Sequence, residues 1–148
     1  MIRFVTKSFK ELTNKELYEL LQLRSEVFVV EQNCVFLDLD GNDEVCYHVL
    51  GYDKNKLVAY TRLVPKAICY EDVSIGRVVT HVSVRKLGYG KSLMEYSITE
   101  AKRIFNITQL VIGAQLYLKI FYADLGFVQE SDMYLEDGIE HIKMRLIS

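Results

Sequence analysis

The stretch Gly76-Arg77-Val78-Val79-Thr80-His81-Val82-Ser83-Val84-Arg85-Lys86-Leu87-Gly88-Tyr89-Gly90-Lys91-Ser92-Leu93 carries the densest chemistry of the chain. A β-branched apolar run enters a glycine-containing turn, and the turn opens directly into an amphipathic helix. The first amide N–H groups of such a helix lack intrahelical acceptors, and the helix dipole adds partial positive charge to them. Gly88 and Gly90 let a ligand approach the backbone closely. Arg85, Lys86 and Lys91 add side-chain charge, so the turn reads as an anion site whose natural guest is a phosphate or pyrophosphate. Two familiar nucleotide motifs do not fit. Gly90-Lys91-Ser92 matches the tail of a P-loop, but Arg85 stands where that motif needs its first glycine. Leu93 likewise occupies the third glycine position of the dinucleotide fingerprint. The pattern that does fit is Arg85-x-x-Gly88-x-Gly90.

Other chemistry is sparse. Cys34, Cys46 and Cys69 form no CxxC pair, and their odd number argues against a disulfide framework, so they read as buried, inert thiols. With His48, His81 and His141 as the only histidines, no spacing resembles a structural zinc site, and no metal is expected. The acidic segment Asp38-Leu39-Asp40-Gly41-Asn42-Asp43-Glu44 begins like a calcium loop. Val49, however, stands where that loop needs its bidentate glutamate, so a solvated turn is expected. A net charge of -2 and a pI near 5.9 speak against nucleic-acid binding through net charge. No apolar run is long enough to span a bilayer and the N-terminus lacks a signal-peptide pattern, which together imply a cytoplasmic protein.

The loop Arg85-x-x-Gly88-x-Gly90 resembles the pyrophosphate loop Q/R-x-x-G-x-G/A of the GNAT superfamily of acetyl-CoA-dependent N-acetyltransferases. A second segment, Gln115-Leu116-Tyr117-Leu118-Lys119-Ile120-Phe121-Tyr122-Ala123-Asp124-Leu125-Gly126-Phe127, resembles the later helix of that superfamily, with its aromatic-Tyr-x-x-x-Gly-Phe signature. Leu21 through Cys34, Gly76-Arg77-Val78-Val79, Gly113-Ala114-Gln115 and Glu136-Asp137-Gly138-Ile139-Glu140-His141 are similar to the ElaA-type branch, so the likeness covers nearly the whole chain.

The resemblance implies acetyl-CoA as co-substrate, an amine on a small molecule or peptide as acceptor, and direct transfer without a metal. Val78, Val79 and Thr80 fall on the splayed strand along which the pantetheine arm runs, and a backbone N–H there would polarise the thioester carbonyl. Arg85, Lys86, Leu87, Gly88, Tyr89, Gly90, Lys91 and Ser92 would wrap the pyrophosphate. Gln115 stands where relatives often have an asparagine that contacts the coenzyme. Tyr122 matches the tyrosine that protonates the departing thiolate, a proton a neutral phenol can supply at pH 7. The proton of the amine needs a base, for which Glu31 and His81 are the candidates, although relatives of the ElaA type lack a histidine at 81. Arg62 and Arg77 either line a pocket or form buried ion pairs. A coenzyme-binding or acyl-CoA-sensing module without turnover would use the same binding residues. A phosphotransfer protein is opposed by Arg85 and by the lack of a strand ending in a magnesium-binding aspartate.

These residues require a scaffold, and the periodicity supplies one. Ile2 to Thr6 reads as a strand. Thr13 and Glu16 form a capping box with Leu12 and Leu17 as its hydrophobic staple, and Leu17, Leu20, Leu21, Arg24, Val27 and Phe28 follow helical spacing. Strands follow at Cys46–Tyr52, Leu57–Val64 and Ser74–His81. A helix from about Gly90 to Phe105 stops at Asn106, and a strand spans Gln109–Gly113. Tyr117 to Leu125 is helical up to Gly126. Strands at about Phe127–Leu135 and Ile139–Ile147 flank the hairpin dipeptide Asp137-Gly138. The order β-α-β-β-β-α-β-α-β-β requires one parallel pair among antiparallel neighbours. The expectation is a single α+β domain over residues 1–148, a GNAT-like mixed, mostly antiparallel sheet flanked by helices. The apolar C-terminal strands suit a homodimer edge and a monomer core equally.

Overall fold

The computed structural model describes residues 1–147. The chain runs β1 (Ile2–Ser8), α1 (Asn14–Arg24), β2 (Tyr47–Asp53), β3 (Lys56–Val64), β4 (Ser74–Thr80), α2 (Tyr89–Phe105), β5 (Gln109–Gln115), α3 (Lys119–Asp124), β6 (Val128–Gln129), β7 (Tyr134–Glu136) and β8 (Ile139–Ile147). One 8-stranded sheet has the order β1-β2-β3-β4-β5-β8-β6, with β7 also on β8. The pair β4–β5 is parallel and the other pairs are antiparallel, as the element order requires. No helix among the described residues is long and apolar enough to cross a membrane.

Local chemistry explains most boundaries. The Thr13 hydroxyl accepts from the Glu16 amide while the Glu16 carboxylate accepts from the Thr13 amide at 2.8 Å, the expected reciprocal cap. Past Arg24 the chain does not stop. It widens into a π-helix over Ser25–Glu31, and Gln32 N–H donates to the Val27 carbonyl five residues back. Asn106 ends α2 at φ 53, and Asp137 and Gly138 turn the last hairpin at φ 51 and 78. Two expectations are corrected. The last strand but one is two pieces, β6 and β7, because Glu130 and Ser131 both bond the Lys143 backbone and force the chain to bulge out between them. The segment at Tyr117 begins as a 3-10 turn over Leu116–Leu118 before α3 forms.

Apolar residues cover both faces of the sheet. On one face Leu93, Met94 and Ala101 of α2 and Tyr122 of α3 meet Val49, Ala59, Leu63, Ile75, Ile112, Ile142 and Met144. On the other, Leu20, Leu23 and Val27 cover Leu50, Leu57, Tyr60 and Val79. Strand β4 breaks the alternation of period two. Ile75 and Val79 are four residues apart and belong on one face, yet they pack on opposite faces. An extra residue in β4 accounts for this. Register runs from Arg62↔Gly76 to Tyr60↔Val79, and Arg77 sits at φ 51. Such a bulge turns every later side chain to the other face.

The acidic segment is largely exposed, but its aspartates are ion-paired rather than free. Asp38, Asp40 and Asp43 neutralise Arg24, Arg62 and Arg77 in one network. Arg24, fully buried, contacts Asp38 and Asp43 at 2.8 Å each. Arg62 contacts Asp40 at 2.7 Å and Asp43 at 3.0 Å, and Arg77 contacts Asp38 at 2.9 Å. These arginines hold the carboxyls of Asp40 and Asp43 below the usual range despite the opposing effect of burial. His48 supports the loop from within, its Nε2–H donating to the Asp43 carbonyl at 2.9 Å and its Nδ1 accepting from the Tyr60 hydroxyl at 2.6 Å. Burial favours its neutral ring.

Asp43→Ala therefore leaves two buried guanidinium groups short of a partner and should cost about 3–5 kcal/mol in urea unfolding. Stability of the wild-type protein should fall twice as pH drops. The neutral form of His48 contributes fully above about pH 6.5 and this is lost as the unfolded ring protonates. The depressed aspartates contribute fully above about pH 5 and lose that contribution below about pH 4. A urea-unfolding free energy that stays level from pH 7 to pH 3 would contradict both assignments.

Candidate active site

Strands β4 and β5 pair at Ser74↔Val111 and then separate. Beyond the Arg77 bulge the outer edge of β4 is unpaired, and a cleft of about 1050 Å³ opens there, lined by Gly76 through Thr80 on one side and by Gly113 and Gln115 on the other. Val78 thus presents its backbone N–H and C=O, and Thr80 its N–H, to the cleft, as an inserted extended ligand would need, while Val79 faces β3 and the Thr80 carbonyl accepts from Arg85.

The glycine-containing turn lies at the end of this cleft. A 3-10 turn over Val82–Leu87, capped by His81, precedes Gly88, whose φ of 77 aims the chain into α2. Lys86, Leu87, Gly88, Lys91 and Ser92 are exposed around the first turn of α2, with Tyr89 and Gly90 half-buried. Neither Lys86 nor Lys91 forms an ion pair among the described residues. A Cβ at Gly90 would lie 3.6 Å from the Phe121 ring, which brings α3 against the start of α2. The arrangement can hold a diphosphate through free amides, a helix N-terminus and two lysines.

Tyr122 is on α3 beside this junction. Only 5% of it is exposed, and its ring packs edge-on against Phe121 and Phe127. Its hydroxyl makes no hydrogen bond to another described residue, and the side chain lines the cleft. Burial pushes its phenol well above the ordinary value, so it stays protonated and able to donate.

Several sequence expectations change here. Arg85 does not reach into the loop with its side chain. Its guanidinium grips both carboxylate oxygens of Glu31, with Nη2 at 2.8 Å from Oε1, and Nη2 also donates to the Thr80 carbonyl at 3.0 Å. Glu31, at the end of the π-helix, is in the cleft wall but is held below the usual carboxyl range by that hydrogen bonding. A carboxylate so engaged is a poor proton acceptor, which removes Glu31 from the base role. His81 is not a cleft residue. Its Nδ1 accepts from the Ser83 amide at 3.1 Å, and its Nε2 lies 3.6 Å from Glu26. Arg62 and Arg77 do both things expected of them, lining the cleft and forming ion pairs. Of the cysteines only Cys46 is buried, where burial pushes its thiol up to about 12, while Cys34 is half-buried and Cys69 exposed.

Gln115 turns toward the α1 side of the sheet, where its amide meets that of Gln32 at 3.4 Å. On that face β8 contributes His141 opposite Gln115, and β7 contributes Tyr134 and Glu136. Tyr70 completes the wall: a Cβ at Gly113 would overlap its hydroxyl, so glycine is required for the ring to close over β5. Sequence reasoning missed Tyr70, Tyr134, Glu136 and His141 as site residues. The one available signal was the Asp137-Gly138 hairpin, which folds Tyr134 back over His141; nothing local places Tyr70 on β5.

Comparison with known proteins agrees with this geometry. Residues 10–148 match the acetyltransferase (GNAT) domain family. Protein ElaA of Escherichia coli is 39% identical over 146 residues, covering 97% of this chain and 95% of ElaA, and its crystal structure superposes with a TM-score of 0.92. The crystal structure of an acyl-CoA N-acyltransferase from Pseudomonas aeruginosa also gives 0.92, at 41% identity and 99% coverage of both chains. A GNAT family acetyltransferase from Elizabethkingia anophelis with acetyl-CoA bound shares the fold at a TM-score of 0.67 and 17% identity, with 99% and 98% of the two chains covered. A strand splayed at a bulge, an open glycine turn on a helix N-terminus and a sequence match over nearly all its length place this chain in the GNAT family of acyltransferases.

Proposed function

We propose that the protein transfers an acetyl group from acetyl-CoA to a primary amine by direct attack. The observation that carries this reading is the divergence of β4 from β5 at the Arg77 bulge, in line with the open first turn of α2. The residues present fit the coenzyme. Lys86, Lys91 and the amides of Gly88 to Lys91 suit the diphosphate, and the free edge at Val78 and the Thr80 N–H suits the amide-rich pantetheine arm. Bound acetyl-CoA supplies a thioester, which is activated toward an amine and needs no metal. The backbone N–H of Val78 or Thr80 polarises the carbonyl as negative charge develops on its oxygen, a device typically worth about 3–4 kcal/mol. Tyr122, kept neutral by burial, gives its proton to the departing sulfur.

The acceptor comes from the face opposite α2. The cleft wall there contains Tyr70, Tyr134 and His141 with the carboxylates of Glu136 and Asp137, which suits a cationic amine with an apolar body.

Saturating acetyl-CoA or CoA, at about 100 times Kd, should add about 2.7 kcal/mol and raise the unfolding midpoint by about 5–10 °C, whereas ATP with magnesium should leave it unchanged. A midpoint unmoved by either coenzyme would exclude the reading. Tyr122→Phe should lower kcat about 10²-fold or more with acetyl-CoA affinity unchanged within twofold. Full activity in that variant would take Tyr122 out of the mechanism. A wild-type protein that binds the coenzyme tightly but acetylates no amine would be a sensor rather than a transferase.

A further inference from the structure

The base is still to be assigned, since Glu31 is held by Arg85 and His81 lies outside the cleft. We propose that His141 takes the proton from the acceptor amine, with the Ile139 carbonyl orienting its ring and Glu136 beside it to support the imidazolium that forms; this inference rests on the transferase reading above. His141 lies on β8, where Ile142, Met144 and Leu146 point into the α2 core and His141 points to the opposite, acceptor face of the cleft. Its ring is 7% exposed and lies nearly parallel to Tyr134, with centroids 5.9 Å apart and planes at 23°.

The hydrogen bonds define which nitrogen can work. Nδ1 is 2.8 Å from the Ile139 carbonyl, which can only accept, so the neutral ring carries its proton on Nδ1. The Nε2 lone pair is therefore free for an incoming proton. Glu136 Oε2 lies 3.6 Å from Nε2, close enough to stabilise the imidazolium once formed. The other titratable or charged groups on the surrounding elements are Tyr134 on β7, Asp137 in the turn, Cys34 whose thiol donates to the Asp137 carbonyl at 3.3 Å, Glu140 and Lys143 on β8, and Tyr70 over β5. Lys143 is paired with Glu130 at 3.2 Å, and the facing β5 residue is the neutral Gln115.

The proton balance closes. An ammonium group gives one proton to His141 Nε2, which later returns it to solvent. The neutral amine attacks the thioester carbon, forming C–N and breaking C–S. The thiolate takes a proton from the Tyr122 hydroxyl, and the second proton shed by the acylated nitrogen restores Tyr122 through solvent. The sum is ammonium plus thioester giving amide, thiol and one proton. Donor chemistry thus sits on the α2 face, proton removal on the α1 face, and the splayed strands join them.

The test uses the full chain with acetyl-CoA and three probe amines: tyramine, spermidine and a lysine-containing tripeptide. For the wild-type protein kcat/KM should fall on the acid side with unit slope. His141→Gln should lower it about 10²-fold or more at pH 7.5 and remove that limb, with CoA affinity unchanged within twofold. Glu136→Gln, at a side chain 56% exposed, should keep the limb and lower kcat/KM only severalfold. An H141Q enzyme that keeps both the limb and the rate, while the wild type is active, overturns this inference alone. A wild-type protein that binds no coenzyme overturns the transferase reading and the inference with it. Nitrogen NMR of the wild-type ring needs no substrate: at pH 8 the proton should be on Nδ1, and a proton on Nε2 overturns the role whichever amine is accepted.

Discussion

The bulge at Arg77 is the constraint from which the rest of the site follows. A non-glycine residue at φ 51 costs on the order of 1–3 kcal/mol and persists only where its surroundings hold it. Here the surroundings are ionic. Arg77 forms an ion pair with the Asp38 carboxylate at 2.9 Å and donates to the Asp38 main-chain carbonyl at 2.9 Å. Asp38 is in turn fixed by Arg24 at 2.8 Å. Without that clamp β4 could return to regular pairing, its edge would close against β5, and the cleft would be lost. The network is thus more than a source of stability, since replacing such buried pairs with apolar residues is often neutral or better. Its value is that it fixes one backbone conformation that an apolar core would not choose.

The same network joins the two halves of the molecule. Arg24 ends α1, Arg62 is on β3 and Arg77 on β4, and all three converge on one loop between residues 38 and 43. That loop passes beside the cleft, with Asp40 in its wall. The π-helical stretch extends the same wall: one more residue per turn carries Val27, Phe28, Glu31 and Gln32 over the cleft in place of a helix that turns away. The Arg85–Glu31 clasp then ties the end of the π-helix to the 3-10 turn ahead of α2. The acceptor wall and the diphosphate turn are therefore mechanically connected through a pair of charged side chains.

Local signals made the element order, the Thr13 cap, the Asn106 stop and the Asp137-Gly138 hairpin legible in the sequence, because each depends on residues close together in the chain. The glycine turn before α2 was legible for the same reason. Arg85 was misread because its pattern position says nothing about where a long side chain finds its partner; Glu31 is 54 residues away. The ion pairs of the acidic turn are not legible because its three arginine partners come from three separate elements. Period-two reasoning could not find the bulge either, since Ser74 to His81 looks like any regular strand until the partner register is known. His141 was present in a segment similar to a known branch, yet its role depends on the Ile139 carbonyl and on a strand two places across the sheet.

Division of labour between the faces explains why these long-range features belong together. A diphosphate needs exposed amides and lysines, while a thioester needs an unpaired strand edge. Proton donation to sulfur needs a phenol kept neutral by apolar packing, as Tyr122 is on the α2 face. Proton removal from nitrogen instead needs an imidazole with one free lone pair, a nearby anion and access to solvent. One pocket wall would serve the last two demands badly, because the purely apolar packing that keeps Tyr122 protonated leaves no place for the carboxylate that offsets the cost of a charge on the equally buried His141 ring. A sheet opened at one bulge resolves the conflict, since Tyr122 and His141 belong to opposite faces and meet only across the gap between β4 and β5.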